Sequence, residues 1–319
     1  MSKRGVVIIG TGLITKFHAQ AVCASEKLEL KGFVGRTQEK AAARAAEFGG
    51  AAWTDLDAAL SAPGVGLAIV ATASGAHDEA VFAAARHRVP VLVEKPIAIT
   101  VARADAMIAA CRATGTPLGC IFQTRWNADF QAAQAKVRSG ELGRLTYGAV
   151  RVPWWREDAY YSDSSWHGSW TMDGGGALIN QAIHMVDWLV ALMPPVEDVK
   201  AFAATLAHPM EAEDTVSAAI RFAGGALGSV YATTASFPGR GKAIELTGTK
   251  GTFQLLDAGN GVARPDALVY DEHLACFEAF AASLEPGGAP YPIPGEEARK
   301  SVDLVERIYR SAGCRAVRL

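Results

Sequence analysis

The chain lacks most of the features that mark secreted, membrane or nucleic-acid-binding proteins. Its five cysteines include no Cys-x-x-Cys pair, which argues against a zinc site and favours reduced thiols in a cytoplasm. No apolar run reaches about 18 residues, and the opening MSKRG leads directly into a strand pattern, so neither a membrane span nor a signal peptide is predicted. The formal net charge of −2 makes nucleic acid or an anionic membrane an unexpected partner. We therefore expect a cytoplasmic protein without a bound metal.

Up to residue 122, short apolar runs alternate with helical patterns. This alternation predicts βαβ units and hence an N-terminal Rossmann domain, residues 1–122, built on a doubly wound parallel sheet. The predicted strands are 5–9, 28–34, 67–72, 89–94 and 118–122, and the predicted helices are 13–24, 38–48, 76–88 and 100–113.

From residue 123 onward the pattern changes to strands joined by glycine turns. Such turns favour antiparallel pairing, so residues 123–319 are predicted to form an α+β domain with a large, mostly antiparallel open sheet. The uncovered face of that sheet predicts a homodimer or homotetramer interface. The predicted strands are 145–152, 196–206, 216–222, 227–234, 243–247 and 252–256, and the predicted helices are 128–139, 174–193, 272–283 and 295–311.

A glycine loop, Gly10-Thr11-Gly12-Leu13-Ile14-Thr15, lies between the first predicted strand and the first helix. Gly10 would allow the tight turn, and Gly12 would let the backbone approach a pyrophosphate at the helix N-terminus. A bare turn is the alternative, since Thr15 stands where the third glycine of the usual fingerprint would be. The position between a strand and a helix favours dinucleotide binding.

The apolar run Val91–Val93 ends in Glu94-Lys95-Pro96. A lysine at the carboxyl end of a buried parallel strand can hold a substrate hydroxyl, and its pKa changes readily when it is desolvated. The alternative is an ordinary strand end with the lysine reaching into solvent.

A second group of chemical interest lies in the predicted helix after Asp173. Asn180 and His184 are four residues apart and would share one helix face. Histidine suits the removal of a proton from an alcohol as hydride leaves, although a buried structural histidine is the alternative. Asp187 is a further candidate to assist His184, with a solvated helix position as its simpler interpretation.

The end of the second strand carries Gly35-Arg36-Thr37 and no carboxylate. NAD-preferring Rossmann domains place an acidic residue there to bind the ribose 2′-hydroxyl. Arg36, assisted by Thr37, can instead pair with a 2′-phosphate, so NADP is favoured and NAD remains possible.

An aromatic and polar segment between residues 154 and 168 suggests a sugar site. Aromatic rings stack on sugar CH faces, and hydroxyl or charged groups read the sugar hydroxyls. For Trp154 and Trp155 a place in the core is an equal alternative. The segment has few groups that could bind an anion, Arg156 among them, so a ring alcohol is favoured over a linear hydroxy acid. The other residues on which this prediction rests are Tyr160, Tyr161, Ser165, Trp166, Asn180 and Gln181, and Arg125 is the second candidate for an anion.

Over nearly its whole length the chain resembles the glucose–fructose oxidoreductase, inositol dehydrogenase and rhizopine catabolism (Gfo/Idh/MocA) family. The segments that carry the resemblance are GTGLITKFHAQA, ATASGAHDEAVFAAA, VLVEKPIA, FQTRWN, GGGALINQAIHMVDWL and IELTGTKGTFQLL. The resemblance implies that Lys95 touches both cofactor and substrate, with a bond before Pro96 that is often cis. It also implies that His184 is catalytic, although many members carry aspartate where this chain has Asn180.

The resemblance implies an NAD(P)-dependent dehydrogenase that acts on a ring hydroxyl of a sugar, sugar derivative or cyclitol. The run through YY, SSW, GSW and DGGGALINQAIH is similar to members that oxidise UDP-linked N-acetylated uronic acids, although His167 replaces their arginine, so a free sugar or cyclitol fits equally. A non-catalytic dinucleotide-binding regulator is the alternative, and retention of Lys95 and His184 favours the enzyme. The implied cofactor-binding residues are Gly10, Gly12, Leu13, Ile14, Arg36, Thr37, Thr72, His77, Glu94, Lys95 and Gln123; the implied substrate-binding residues are Arg125, Tyr160, Trp166, Asn180 and His184.

Overall fold

The computed structural model describes residues 3–162, 166–257, 259 and 269–314. These residues fall into two compact units. The first contains the described parts of Met1–Ala98, Ala102–Trp126 and Pro265–Arg299, and the second those of Ile99–Val101, Asn127–Arg264 and Lys300–Leu319. A domain boundary after residue 122 stays a prediction. The first unit also includes the described part of Pro265–Arg299, which the predicted boundary would assign to the second domain.

The first unit is built on a six-stranded parallel sheet in the order β3-β2-β1-β4-β5-β6. Its central strands are apolar and have side chains buried on both faces, as parallel sheets covered by helices require. This confirms the predicted Rossmann architecture. The strands are β1 (Arg4–Ile9), β2 (Leu28–Val34), β3 (Ala51–Trp53), β4 (Val65–Val70), β5 (Val91–Glu94) and β6 (Leu118–Ile121).

Helix ends in this unit follow local capping chemistry. The Thr37 hydroxyl accepts a hydrogen bond from the Lys40 amide, and Gly49 with a φ of 88° ends the same helix. Over the whole described chain the α-helices are α1 (Leu13–Ala24), α2 (Gln38–Phe48), α3 (Leu56–Leu60), α4 (His77–His87), α5 (Val101–Thr114), α6 (Ala128–Arg138), α7 (Ala159–Ser162), α8 (Ile183–Leu192), α9 (Asp271–Ser283) and α10 (Gly295–Ser311).

The second unit contains a six-stranded sheet in the order β12-β11-β7-β10-β9-β8. Only the β7–β10 pair is parallel, so the predicted mostly antiparallel sheet is confirmed. The strands are β7 (Leu145–Pro153), β8 (Val196–Ala204), β9 (Thr215–Phe222), β10 (Leu227–Thr233), β11 (Ala243–Gly248) and β12 (Thr252–Leu256). One face of β9, which includes Val216 and Ile220, is buried, and its alternate residues are exposed.

The helices and the cysteines of the described residues bear on the expectations about membrane spans and thiols. None of their helices combines the length and the apolar character needed to cross a bilayer. All five cysteines are unbridged, which agrees with the absence of paired spacings in the sequence.

Candidate active site

The glycine loop lies where the order of the parallel sheet reverses, between the carboxyl ends of β1 and β4. Gly10 has a φ of +124°, and a Cβ there would lie 2.3 Å from the Ala71 carbonyl oxygen. Only glycine fits this close passage of two strand ends. Ligands of doubly wound sheets bind in the crevice at such a reversal.

The loop has room and donors for an anion. A Cβ on Gly12 would meet no atom within 4 Å. No side chain of the described residues caps the start of α1, and Leu13 in its first turn is 53% exposed while Ile14 is partly buried. The amide groups of this turn therefore suit a pyrophosphate, and the predicted loop residues fit a dinucleotide.

Arg44 is a contributor to this loop that the sequence analysis missed. From α2 its guanidinium donates to the carbonyl oxygens of Thr11 and Gly12, at 3.2 and 3.3 Å. Arginine in an amphipathic helix carries no signal of its own, because most such residues face solvent.

The ribose end of the site lies after β2. Arg36 is exposed, and the Thr37 hydroxyl is engaged in capping α2. A Cβ on Gly35 would come within 3.0 Å of the Thr11 side chain, so the chain is tightly packed where an acidic residue would otherwise be expected.

Lys95 follows β5 at the same carboxyl edge of the sheet. The preceding Glu94 is turned inward, where one carboxylate oxygen lies 2.8 Å from His18 Nε2 and the other accepts the Lys95 amide at 2.9 Å. Burial raises the pKa of Glu94, but the hydrogen bond and charge of His18 outweigh it and lower that pKa to about 2. Glu94 is 6% exposed. It holds the backbone at Lys95, and the Lys95–Pro96 bond is cis.

His77 fixes the segment after Lys95. Its Nδ1 lies 3.0 Å from the Pro96 carbonyl oxygen, and its Nε2 lies 3.3 Å from that of Thr72. Burial lowers the pKa of His77, so the uncharged ring is favoured. Thr72 and His77, both predicted to contact the cofactor, thus join the end of β4 to the loop that carries Lys95.

Gln123 and Arg125 lie in a short 3₁₀ turn directly after β6. The Gln123 Oε1 atom is buried and accepts no hydrogen bond from the described residues, so an acceptor is left for a bound group at this strand edge. Arg125 is 6% exposed and donates to Glu297 at 3.2 Å, so this pair offsets part of its charge.

In the second unit, the single helix predicted over 174–193 is two segments. Gly174 and Gly175 have φ values of +82° and +150°, and a Cβ on Gly175 would lie 2.1 Å from the Tyr309 hydroxyl. A π-helical turn, Ala177–Gln181, follows, and then α8. Asn180 lies in the π turn and His184 in the first turn of α8. The spacing predicted that both residues lie on one face of a single α-helix, but the helix type changes from π to α between them.

A buried carboxylate holds Asn180. Asp173 is 1% exposed, and its two carboxylate oxygens lie 2.7 and 2.9 Å from the side-chain nitrogen of Asn180, which donates to them. One of these oxygens also accepts a 2.8 Å hydrogen bond from the backbone amide of Gly168. The Asn180 carbonyl oxygen accepts from Gln181 at 3.1 Å. A negative charge thus lies one hydrogen bond away from Asn180, which the sequence analysis did not assign.

The network continues into the predicted substrate region. Gln181 donates to the Tyr160 hydroxyl at 2.8 Å and accepts from Arg156 at 2.5 Å. Tyr160 stacks on His167 with ring centroids 4.4 Å apart, and His167 contacts Trp166. Burial raises the pKa of Tyr160 to about 12, so its hydroxyl stays protonated. Asp163, Ser164 and Ser165 lie outside the described residues.

Arg156 is buried, and no carboxylate of the described residues pairs with it. It is 7% exposed, and its Nε–H donates to no partner among those residues. Its guanidinium lies 5.0 Å from the Trp154 ring and 5.6 Å from the Tyr160 ring. A buried cation with spare donors is costly unless an anion joins it.

The buried carboxylate of Glu213 holds the backbone at the start of the π turn. Its carboxylate accepts hydrogen bonds from the amides of Gly176 and Leu178 and from the Tyr309 hydroxyl, each at 2.9 Å. Burial raises its pKa to about 7. No sequence signal identified this role, since Glu213 and Tyr309 lie far from the turn along the chain.

Asp187 differs from its expected solvated position. It is fully buried and accepts a 3.2 Å hydrogen bond from the Ser301 hydroxyl, so the prediction of a solvated helix position is wrong. The burial follows from the apolar composition of α8, which leaves little of the helix for solvent.

Comparison with known proteins agrees with this architecture. Residues 4–122 match the family model for the oxidoreductase family NAD-binding Rossmann fold, and residues 130–254 match that for the GFO/IDH/MocA C-terminal domain. The chain belongs to the GFO/IDH/MocA family. The resemblance inferred from the sequence motifs is thereby confirmed.

Two solved structures of similar proteins carry ligands. The WlbA dehydrogenase from Bordetella pertussis, in complex with NADH and UDP-GlcNAcA, is 32% identical, with a TM-score of 0.89 over 98% of this chain and 97% of that one. Its counterpart from Chromobacterium violaceum, also with NADH and UDP-GlcNAcA, is 28% identical, with a TM-score of 0.89 over 98% of this chain and 94% of that one. A D-glucoside 3-dehydrogenase from Escherichia coli is 31% identical over 61% of this chain, which spans 56% of that relative.

Proposed function

We propose that this protein is an NAD(P)-dependent oxidoreductase that transfers a hydride between a nicotinamide cofactor and a ring hydroxyl or ketone of a sugar, sugar derivative or cyclitol. The observation that carries the proposal is the position of Lys95, which directly follows β5 at the sheet edge where β1 presents the Gly10–Gly12 loop. A dinucleotide at that loop would extend along the edge that carries the lysine.

In this proposal Lys95 orients the reacting hydroxyl and His184 accepts its proton. A bound nicotinamide supplies the hydride acceptor. Glu94 and His77 hold the Lys95 segment through the contacts described above, and Gln123 offers a buried acceptor to the bound group. Asn180, anchored by Asp173, fixes the start of the segment that leads to His184.

An acidic sugar is the substrate class that the second unit supports best. Arg156 has no counter-ion in the described part of the chain, and it lies in one hydrogen-bond network with Gln181, Tyr160 and Asn180. The carboxylate of a uronate would serve as the counter-ion of Arg156, while Tyr160 and Trp166 offer ring faces for stacking on the sugar. The binding of UDP-GlcNAcA by the two WlbA proteins is consistent with this class.

Replacing Arg156 with glutamine is expected to lower kcat/KM for uronates by about 10- to 100-fold, because a charged hydrogen bond is lost. The loss should appear mainly in KM. For uncharged sugars the change should stay below about threefold, because their binding does not require the cation. Steady-state kinetics on paired uronate and aldose substrates measures both effects. Arg138→Gln, at an exposed position at the end of α6, is the matched control. Equal losses on both substrates would refute anion recognition by Arg156.

We further propose that NADP is preferred over NAD. Arg36 is exposed at the end of β2, and the strand end has no carboxylate to repel a 2′-phosphate. The NAD-binding Rossmann fold itself accommodates either cofactor.

Arg36→Ala is expected to weaken NADP binding by about 10- to 100-fold and to change NAD binding little, because only NADP carries the phosphate. Calorimetric titration of both cofactors measures this, with Arg138→Ala as an exposed arginine control. Tighter binding of NAD than NADP by the wild type would show that the ribose pocket has been misinterpreted.

The open face of the second sheet supports a homo-oligomer, a homodimer or homotetramer. Phe202 is 86% exposed and Leu227 is 55% exposed, and they share that face with Tyr231 through the β8-β9-β10 register. Apolar groups of this size on a sheet surface are typically covered by a partner, and a second copy is the proposed one. The five unbridged cysteines support the proposed cytoplasmic location.

A turnover screen tests the proposed activity. Inositols, aldoses, uronic acids and UDP-N-acetylhexosamine derivatives are incubated with NADP and with NAD, with lactate and malate as linear controls, and cofactor reduction is followed by absorbance. Reduction with cyclic compounds is expected. Turnover of the linear acids with none of the cyclic compounds would overturn the substrate class.

A further inference from the structure

Three buried side chains converge in the first unit. His18 on α1, Glu94 at the end of β5 and His273 on α9 are 0%, 6% and 2% exposed. One potential ligand atom from each lies within 4.8 Å of the other two. The three residues come from separate elements of the fold, so no local motif brings them together.

Much of the hydrogen-bonding capacity in this cluster is unused. Both ring nitrogens of His273 and the Nδ1 of His18 are buried and have no hydrogen-bond partner among the described residues. Native proteins rarely leave such atoms unsatisfied, because each lost hydrogen bond costs stability. The Phe277 ring packs against both imidazoles, with centroids 5.2 Å from His18 and 6.1 Å from His273, and a phenyl ring offers their nitrogens no conventional hydrogen bond.

The cluster offers donor types that hold metal ions in proteins, two imidazole rings and one carboxylate. The second Glu94 oxygen accepts the Lys95 amide, a contact that fixes the carboxylate as ligand-supporting bonds do.

We propose that His18, Glu94 and His273 form a binding site for a divalent transition-metal ion of the Zn²⁺ class. Two imidazoles and one carboxylate favour such ions over Mg²⁺ or Ca²⁺, which prefer oxygen ligands. Bonds of about 2.0–2.1 Å in a tetrahedral site place ligand atoms roughly 3.4 Å apart. The ligand atoms lie within 4.8 Å of one another, and the His18 and Glu94 atoms, now 2.8 Å apart, would separate slightly around an ion. A water completes the fourth position.

The ion would join three elements. It would link the helix that follows the glycine loop, the strand that precedes Lys95 and helix α9. Its contribution is structural and separate from hydride transfer. The cysteine spacings had argued against zinc, but they bear only on sites built from cysteine, whereas this cluster uses histidine.

Metal binding by the full-length protein tests the proposal directly. The protein is freed of any affinity tag, treated with a chelator, desalted and titrated with Co²⁺ and then Zn²⁺ without cofactor or substrate. One equivalent of Co²⁺ per chain should bind, with visible absorption bands that Zn²⁺ abolishes. Saturating Zn²⁺ should raise Tm by at least about 3 °C. Crystals grown with Zn²⁺ should show an anomalous peak among the three side chains.

Matched variants separate the site from surface binding. His273→Leu should weaken Co²⁺ binding at least about 100-fold, since loss of even an outer-shell partner costs 10- to 100-fold. His87→Leu, at the exposed end of α4, should bind as the wild type does. Circular dichroism confirms folding, and His18→Gln serves if His273→Leu fails to fold. Absence of stoichiometric binding by the wild type, or unchanged binding by the folded variants, would overturn the proposal in favour of a water-filled cluster. Because no turnover is measured, the result is independent of the proposed activity.

Discussion

Lys95→Ala is expected to lower kcat by at least about 10²- to 10³-fold while the protein stays folded. Lys95 is only partly buried after β5, so its removal costs little packing. Its ammonium, in the proposed role, orients the reacting hydroxyl and stabilises developing charge, and a single such donor is worth about that factor. Steady-state kinetics at saturating cofactor measures the loss.

A control for Lys95 is available in the same chain. Lys27→Ala removes a lysine whose side chain is 56% exposed just before β2, and it should leave kcat unchanged. Thermal unfolding should show similar Tm values for both variants. Near-normal kcat in folded Lys95→Ala would assign the chemistry to other residues and favour a dinucleotide-binding regulator.

His184→Ala is expected to reduce kcat by about 10²- to 10⁴-fold, the range for loss of a general base. The residue lies in the first turn of α8, after the π turn that Glu213 and Tyr309 hold in place. Cofactor affinity should change little, because the proposed role concerns the substrate proton. Pre-steady-state kinetics and cofactor titration measure the two effects separately.

The shape of the pH profile distinguishes a catalytic from a structural role for His184. Loss of the base should remove the acidic limb of the kcat profile, whereas a destabilised fold would lower kcat without changing its shape. His87→Ala is the matched control, since His87 pairs with Asp57 at the end of α4. An unchanged acidic limb in His184→Ala would exclude it as the base.

The parallel sheet was predictable because its strands are continuous apolar runs. Val91–Val93 and Val6–Ile9 are fully or almost fully buried, and burial on both faces gives the strongest pattern available to sequence reasoning. Strand β3 and helix α3 were missed because three and five residues are too few to show a period.

The candidate site was only partly predictable, for reasons of distance along the chain. The loop glycines and the strand-end lysine carry local sequence signals and were therefore predictable. The π turn depends on Tyr309 and Glu213, and the metal cluster depends on His273, all far from their partners in sequence. Asp173 adjoins a recognised glycine run, but its contact with Asn180 requires a turn that helix periodicity does not predict.

Transfer of deuterium to the cofactor is the most direct test of the proposed reaction. The cyclic compound that is turned over is prepared with deuterium on the ring carbon that bears the reacting hydroxyl, and the reduced cofactor is analysed by mass spectrometry. Direct hydride transfer predicts one deuterium in each reduced nicotinamide from the wild type, and almost no reduced cofactor from Lys95→Ala or His184→Ala. Reduced cofactor without deuterium from the wild type, or formation of labelled cofactor by both variants at the wild-type rate, would contradict the account.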